Sequence, residues 1–122
     1  MGQSAIILVE TDPFVREAFA AFADAMDYRS VQFGSLQGAV ENAQPAANDV
    51  LIVDLHAAGD VRQFLAWRTG MRAPPATIIV TCSSPAIVRH IIGEGLGIAV
   101  VRKPVDAHAL LALIRSRIGG PA

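Results

Sequence analysis

The chain has 122 residues, 52% of them hydrophobic and 17% charged, a composition that argues for one domain with a sizeable core and against disorder. Its formal net charge of -1 offers no general attraction to nucleic acid or to an anionic membrane, because both require a concentrated basic face. The single cysteine excludes an internal disulfide and a cysteine-based zinc site, and without a signal-peptide pattern or a membrane-length apolar run we expect a cytoplasmic protein.

Short apolar runs alternate with amphipathic stretches along the chain. The predicted strands are mostly unbroken apolar runs, typical of strands covered on both faces, and they lie at 5–9, 28–33, 50–54, 76–81 and 98–101. The predicted helices carry apolar residues at spacings of three and four, and they run over about 12–26, 35–43, 61–69, 85–92 and 106–117. Five strands that alternate with five helices through short connections predict an α/β fold, a parallel sheet with helices on both faces.

Polar residues suited to phosphoryl chemistry follow four of the predicted strands. Glu10-Thr11-Asp12 follows the first strand, Asp54 ends the third, Thr81 ends the fourth and Lys103 follows the fifth. The carboxyl ends of parallel strands meet at one edge of the sheet, so these side chains should converge. An aspartate can accept a phosphoryl group, a lysine and a hydroxyl can neutralise its oxygens, and acidic residues can hold Mg²⁺. Alone, Asp54 is better explained as a helix-capping or turn residue; the combination favours a phosphoryl site.

In this order, the strand-end motifs resemble those of response regulator receiver domains, the CheY-like phosphoacceptor modules of two-component signalling. The resemblance covers roughly residues 5–118 and implies a single receiver domain over 1–122. It rests on four segments, Ile7–Glu17, Val50–Leu55, Ile78–Thr81 and Val100–Pro104. It implies a flavodoxin-like sheet with strand order 2-1-3-4-5 and a cis bond before Pro104.

The resemblance assigns a role to each site residue. Asp54 corresponds to the phosphoacceptor, Thr81 to the switch hydroxyl and Lys103 to the phosphate-binding cation. Mg²⁺ would be held by Glu10, Asp54 and the backbone carbonyl of His56. The domain would not be an enzyme beyond the self-catalysed phosphorylation and dephosphorylation of its own aspartate.

The resemblance also implies partners. A histidine kinase or a histidine phosphotransfer protein would donate the phosphoryl group, and a downstream protein or a covalently attached output domain would read the switch. The resemblance is also compatible with a homodimer that forms through the last two helices. It implies neither direct nucleic-acid binding nor membrane attachment.

Three departures from the family pattern concern the site itself. Thr11 stands where the family has its direct acidic Mg²⁺ ligand, which predicts weak Mg²⁺ binding; Asp12 is a substitute candidate, although its expected role is to cap the first helix. Val100 replaces the switch aromatic, and the loop after Asp54 is about two residues shorter than usual. These departures keep open an alternative, a pseudo-receiver that binds or dimerises without phosphorylation. A flavin or nucleotide binder is poorly supported, because no glycine-rich loop follows the first strand.

The remaining nucleophile of interest is Cys82, directly after the fourth strand. Free cysteines are among the most often buried residues, so we expect Cys82 to be a small buried side chain without reactivity.

Overall fold

The computed structural model describes residues 4–55, 58–93 and 97–117, and within them strands and helices alternate as expected. The strands are β1 (Ala5–Val9), β2 (Arg29–Phe33), β3 (Val50–Asp54), β4 (Ala76–Thr81) and β5 (Ile98–Arg102). The helices are α1 (Pro13–Ala25), α2 (Leu36–Asn42), α3 (Ala58–Thr69), α4 (Pro85–Ile92) and α5 (Ala107–Arg117). The strands pair in parallel in the order β2-β1-β3-β4-β5. The predicted fold class and strand order are confirmed, and the Lys103–Pro104 bond is cis.

The core consists of two apolar layers, one on each face of the sheet. Because successive side chains of a strand point to opposite faces, β3 sends Leu51 and Val53 into one layer and Val50 and Ile52 into the other. Both layers are closed by helices, so every one of these side chains is buried. This two-sided covering explains why the central strands are unbroken apolar runs rather than alternating ones.

Side chains cap the starts of α1 and α2, and the cap by Asp12 is the one expected from the sequence. The Asp12 carboxylate accepts a hydrogen bond from the Phe14 amide at 2.9 Å, and the Ser35 hydroxyl accepts one from Gly38 at 2.9 Å. Ser84 occupies the cap position of α4 but makes no side-chain capping hydrogen bond. Helix α3 begins at residue 58, three residues before the predicted start.

None of the described helices could cross a membrane. The longest of them, α1, has 13 residues, short of the roughly 20 that a bilayer core requires.

Candidate functional site at the carboxyl edge of the sheet

Asp54 and Lys103 meet at the carboxyl edge, although one ends β3 and the other follows β5. The Lys103 Nζ donates a hydrogen bond to Asp54 Oδ2 at 2.9 Å. The intervening strand β4 sets this spacing: the Leu55 amide donates to the Val80 carbonyl at 3.0 Å, and the Lys103 amide donates to the Thr81 carbonyl at 2.8 Å. The Asp54 side chain is 3% exposed and that of Lys103 30%. A buried carboxylate is therefore held by an ammonium group that reaches it from the partly exposed rim.

Glu10 adds a second buried carboxyl group to this pair. Its side chain is 6% exposed, and Oε1 lies 3.8 Å from the Lys103 Nζ. Oε2 accepts a hydrogen bond from the Asp12 amide at 3.1 Å. Burial, reinforced by a hydrogen bond with Asp54, raises the pKa of the Glu10 carboxyl above its ordinary value.

The charge of Lys103 depends on the same two carboxyl groups. Burial by itself would lower the pKa of Lys103, but the hydrogen bond and negative charge of Asp54, with a further contribution from Glu10, raise it. The ammonium group therefore stays charged across the physiological pH range, with two carboxyl groups sharing one cation.

Thr81 ends β4 at the same edge and is fully buried. In the β3–β4 register Asp54 is opposite Val80, so Thr81 lies one position further toward the edge. Its hydroxyl oxygen accepts a hydrogen bond from the Ser83 amide at 3.0 Å, which leaves the hydroxyl proton for another acceptor. The switch role of Thr81 stays a prediction.

The acidic pocket that the resemblance implies includes Thr11 and Asp12 beside Glu10. Thr11 is exposed and neutral, and Asp12, also exposed, caps α1 with its carboxylate. The predicted carbonyl ligand of His56 lies outside the described residues. Within the described part of the chain, no three histidine, cysteine or acidic side chains group closely enough to hold a metal ion. Glu10 and Asp54 remain as two neighbouring carboxyl groups, a donor set that fits Mg²⁺ because this ion uses one or two carboxylates and keeps several waters.

Two cavities flank Asp54, one on each side. A cavity of about 510 Å³ lies between α1 and α5, with apolar walls that include Val15, Phe19 and Leu110, and it also borders Lys103. A cavity of about 290 Å³ on the other side is more polar and is lined by residues that include Thr11, Asp60 and Gln63. The buried carboxylate can therefore be approached from two directions.

The first turn of α1 exposes apolar side chains beside the site. Phe14 is 80% exposed and Val15 44% exposed, whereas Phe19 further along the helix is buried. The predicted apolar face of α1 therefore reaches the core only from its second turn onward. The exposed side chains of the first turn form an apolar patch next to the 510 Å³ cavity, which Val15 also lines.

The position of the family's switch aromatic is part of the core. Val100 is buried on β5, opposite Ile79 in the β4–β5 register, and packs with Val88 of α4. A buried valine therefore stands where the resemblance would place an aromatic side chain.

Sequence reasoning missed two structural features and misplaced one. Arg16 contacts the loop between β1 and α1, and Asp49 is a buried carboxylate at the opposite end of β3 from Asp54. A charged residue directly before an unbroken apolar run was the available signal for Asp49. Cys82, expected to be buried, is exposed, because the chain leaves the sheet after Thr81.

Comparisons with known proteins agree on the fold. The sequence matches no protein-family model, and no curated protein sequence matches it. Among solved structures, a response regulator receiver domain protein from Bacillus halodurans is similar with a TM-score of 0.77 and 16% identity, over 99% of this chain and 100% of that one. The Vibrio cholerae chemotaxis protein CheY4 has a TM-score of 0.72 and 18% identity, over 96% of this chain and 100% of its own.

A third similar structure is a complex. The receiver domain of the Saccharomyces cerevisiae response regulator Ssk1, crystallised with the histidine phosphotransfer protein Ypd1, has a TM-score of 0.72 and 16% identity, over 94% of this chain and 88% of that one. The architecture of the present chain is therefore the receiver-domain fold that the sequence resemblance predicted.

Proposed function

We propose that this chain is a phosphoacceptor receiver domain, which takes a phosphoryl group from a histidine kinase or a histidine phosphotransfer protein onto Asp54. The observation that carries the proposal is the 2.9 Å contact between the Asp54 carboxylate and the Lys103 ammonium, made across β4 at the carboxyl edge of a receiver-like sheet. Ligands and chemistry collect at this edge in open α/β folds.

The chemistry needs one nucleophilic oxygen and several groups that balance charge. An Asp54 carboxylate oxygen forms the new O–P bond while the P–N bond of the phosphohistidine breaks, and the imidazole nitrogen keeps the electron pair of that bond. Lys103 exchanges its contact with Asp54 for the incoming phosphoryl oxygens. Thr81 donates its hydroxyl proton to one of them.

Glu10 and Asp54 are the side chains that would hold Mg²⁺. When bound, the ion neutralises the negative charge that builds up on the phosphoryl oxygens. Because Thr11 supplies no carboxylate, this site binds Mg²⁺ weakly. Phosphorylation therefore requires high Mg²⁺ concentrations.

The apolar patch at the start of α1 is suited to the phosphodonor protein. Phe14 and Val15 are the large apolar side chains of α1 that are most exposed, and Val15 also lines the cavity that reaches Asp54. An exposed apolar patch next to a reactive group is typical of a protein interaction site. The similar Ssk1 receiver domain was crystallised with such a donor, the phosphotransfer protein Ypd1.

Phosphorylation adds about 1.5 to 2 negative charges beside Lys103. The added charge changes the contacts among Asp54, Lys103 and Glu10. A downstream protein or an attached output domain then recognises the altered surface. With Val100 packed in the core, the response passes through the loops that follow β4 and β5 rather than through a rotating aromatic side chain.

The test is labelling with acetyl phosphate and Mg²⁺, followed by intact mass measurement. We expect one phosphoryl adduct on the wild type, which disappears on omission of Mg²⁺ and in Asp54→Asn. Asp60→Asn is the matched control, because Asp60 borders the neighbouring cavity but is exposed; this variant should label like the wild type. A folded protein that takes up no phosphoryl group at high Mg²⁺ would contradict the proposal.

That negative outcome would favour the second candidate, a pseudo-receiver that acts as a binding or dimerisation module. The observation in its favour is the neutral, exposed Thr11 beside Glu10, which supplies no carboxylate for a cation. In that case the partner should bind equally well to the wild type and to Asp54→Asn.

A further inference from the structure

Arg16 of α1 holds the backbone of the loop that carries the acidic pocket. Its Nη1 donates hydrogen bonds to the carbonyl oxygen of Glu10 at 2.8 Å and to that of Thr11 at 3.0 Å. The side chain is half-buried, and bonds from a charged donor are stronger than neutral ones. One guanidinium group therefore fixes two successive peptide units directly after β1.

The turn between β2 and α2 makes room for this guanidinium group. A Cβ atom on Gly34 would lie 3.2 Å from the Arg16 Nη1, which is tighter than ordinary contact. At the end of β2, directly before Gly34, the Phe33 carbonyl accepts a hydrogen bond from the Glu10 amide at 3.0 Å. Both the amide and the carbonyl of Glu10 are thus held, one by the sheet edge and the other by Arg16.

The shape of this loop determines where the Glu10 carboxylate lies. Its Oε2 accepts from the Asp12 amide two residues along, and its Oε1 faces the Lys103 ammonium at 3.8 Å. If the peptide units after β1 rotate, the Asp12 amide moves and the carboxylate moves with it. Arg16 itself has no described contact with Asp54 or Lys103, so its influence on them passes through the loop.

We propose that Arg16 is a positioning residue for the phosphoryl site, an inference that rests on the proposed function. It engages the two loop carbonyls and thereby presents the Glu10 carboxylate to Asp54, Lys103 and the cation. Residues that hold ligands in place commonly change metal affinity or activity by about 10- to 100-fold when removed. Because Thr11 leaves this pocket with few charged oxygens, the position of Glu10 matters more than in a pocket with a full acidic set.

The test compares Arg16→Ala with Arg62→Ala, which removes the same charge from an exposed site on α3. We expect Arg16→Ala to raise the Mg²⁺ concentration for half-maximal phosphorylation about tenfold, with Arg16→Lys intermediate because it keeps the charge and a donor. Arg62→Ala should match the wild type. Gly34→Val keeps the arginine but crowds its guanidinium group, whose Nη1 would lie 3.2 Å from the new Cβ, and it should shift the Mg²⁺ midpoint in the same direction as Arg16→Ala.

A structural role alone predicts a different pattern. If Arg16→Ala is less stable but, while folded, keeps the wild-type Mg²⁺ midpoint, the inference is overturned. A second readout needs no phosphorylation: the Asp12 amide resonance should shift in Arg16→Ala and in Gly34→Val but not in Arg62→Ala. If the wild type is never phosphorylated, the proposed function fails by itself, and an unmoved Asp12 resonance would then overturn the role of Arg16 as well.

Discussion

Asp49 and Asp54 stand at opposite ends of the same strand, and both carboxylates are buried, but they are held by different kinds of partner. The Asp49 oxygens accept hydrogen bonds from two backbone amides, that of Ala5 at 2.9 Å and that of Ala46 at 2.8 Å. Asp54 is held by the ammonium group of a lysine side chain. Backbone amides can leave only if the fold opens, whereas a lysine side chain can rotate away and return.

The other polar groups at the two edges of the sheet differ in the same way, with fixed partners near Asp49 and an exchangeable partner near Asp54. Near Asp49, the buried Arg68 donates to the Thr77 hydroxyl at 3.1 Å and to the Pro75 carbonyl at 3.0 Å, so the polar groups of that edge are tied to fixed partners. Near Asp54, two carboxyl groups share one partly exposed ammonium. Burial alone therefore does not single out Asp54 as the proposed phosphoacceptor; what separates it from Asp49 is a partner that can be exchanged without unfolding.

The largest expected effect is at the structural aspartate. Asp49→Ala leaves two buried backbone amides without an acceptor, so it should lower the free energy of unfolding by about 3 kcal/mol. Urea denaturation measures the loss of stability. Asp49→Asn keeps one acceptor oxygen, so its free energy of unfolding should lie between that of Asp49→Ala and that of the wild type. The folded fraction should still label at Asp54. A loss below about 0.5 kcal/mol, the range of ordinary surface substitutions, would remove the contrast between the two aspartates.

How far the sequence predicts each edge depends on the kind of contact. The fold follows from apolar runs and from Asp12-Pro13 at a helix start, while the strand order came from the family resemblance. The meeting of Asp54 with Lys103 was predictable because parallel strand ends converge. The bonds of Asp49 were not, since its donors are backbone amides, one of them 44 residues away, which carry no side-chain signature. The contacts of Arg16 were not predictable for the same reason, because its acceptors are backbone carbonyl oxygens.

The second effect concerns the exchangeable partner. Lys103→Met leaves Asp54 and Glu10 buried together without their cation. It should lower the free energy of unfolding at pH 8 by about 2 kcal/mol, less than for a fully buried ion pair because the lysine is partly exposed to solvent. The loss should shrink as the pH falls through the raised pKa of Glu10, because Glu10 then takes up a proton. Lys103→Arg, which keeps the charge, is the control. A pH-independent loss would point to packing instead of charge.

The third effect adds a charge to the exchangeable edge. Thr11→Asp places a carboxylate at the exposed position beside Glu10, and should lower the Mg²⁺ concentration for half-saturation about tenfold, equivalent to about 1.4 kcal/mol. Isothermal titration calorimetry or amide chemical shifts measure Mg²⁺ binding without any phosphodonor. Thr11→Asn is the neutral control. Equal Mg²⁺ affinities in the three proteins would mean that this loop does not contribute to cation binding.

The smallest effect has the opposite sign and arises from the pKa of Glu10. Burial and the hydrogen bond with Asp54 raise this pKa in the folded protein above its ordinary value of 4.5, so the folded state binds the proton more tightly than the unfolded one. The contribution of Glu10 to the free energy of unfolding is therefore greatest below about pH 4.5, and it falls as the pH rises through the raised pKa of Glu10. Glu10→Gln does not titrate and can still accept from the Asp12 amide. In EDTA at pH 7 it should gain up to about 1 kcal/mol over the wild type, and the gain should vanish near pH 4. A variant that is less stable than the wild type at pH 7 would show that the Lys103 contact outweighs the burial of Glu10, and would make this edge as structural as the other.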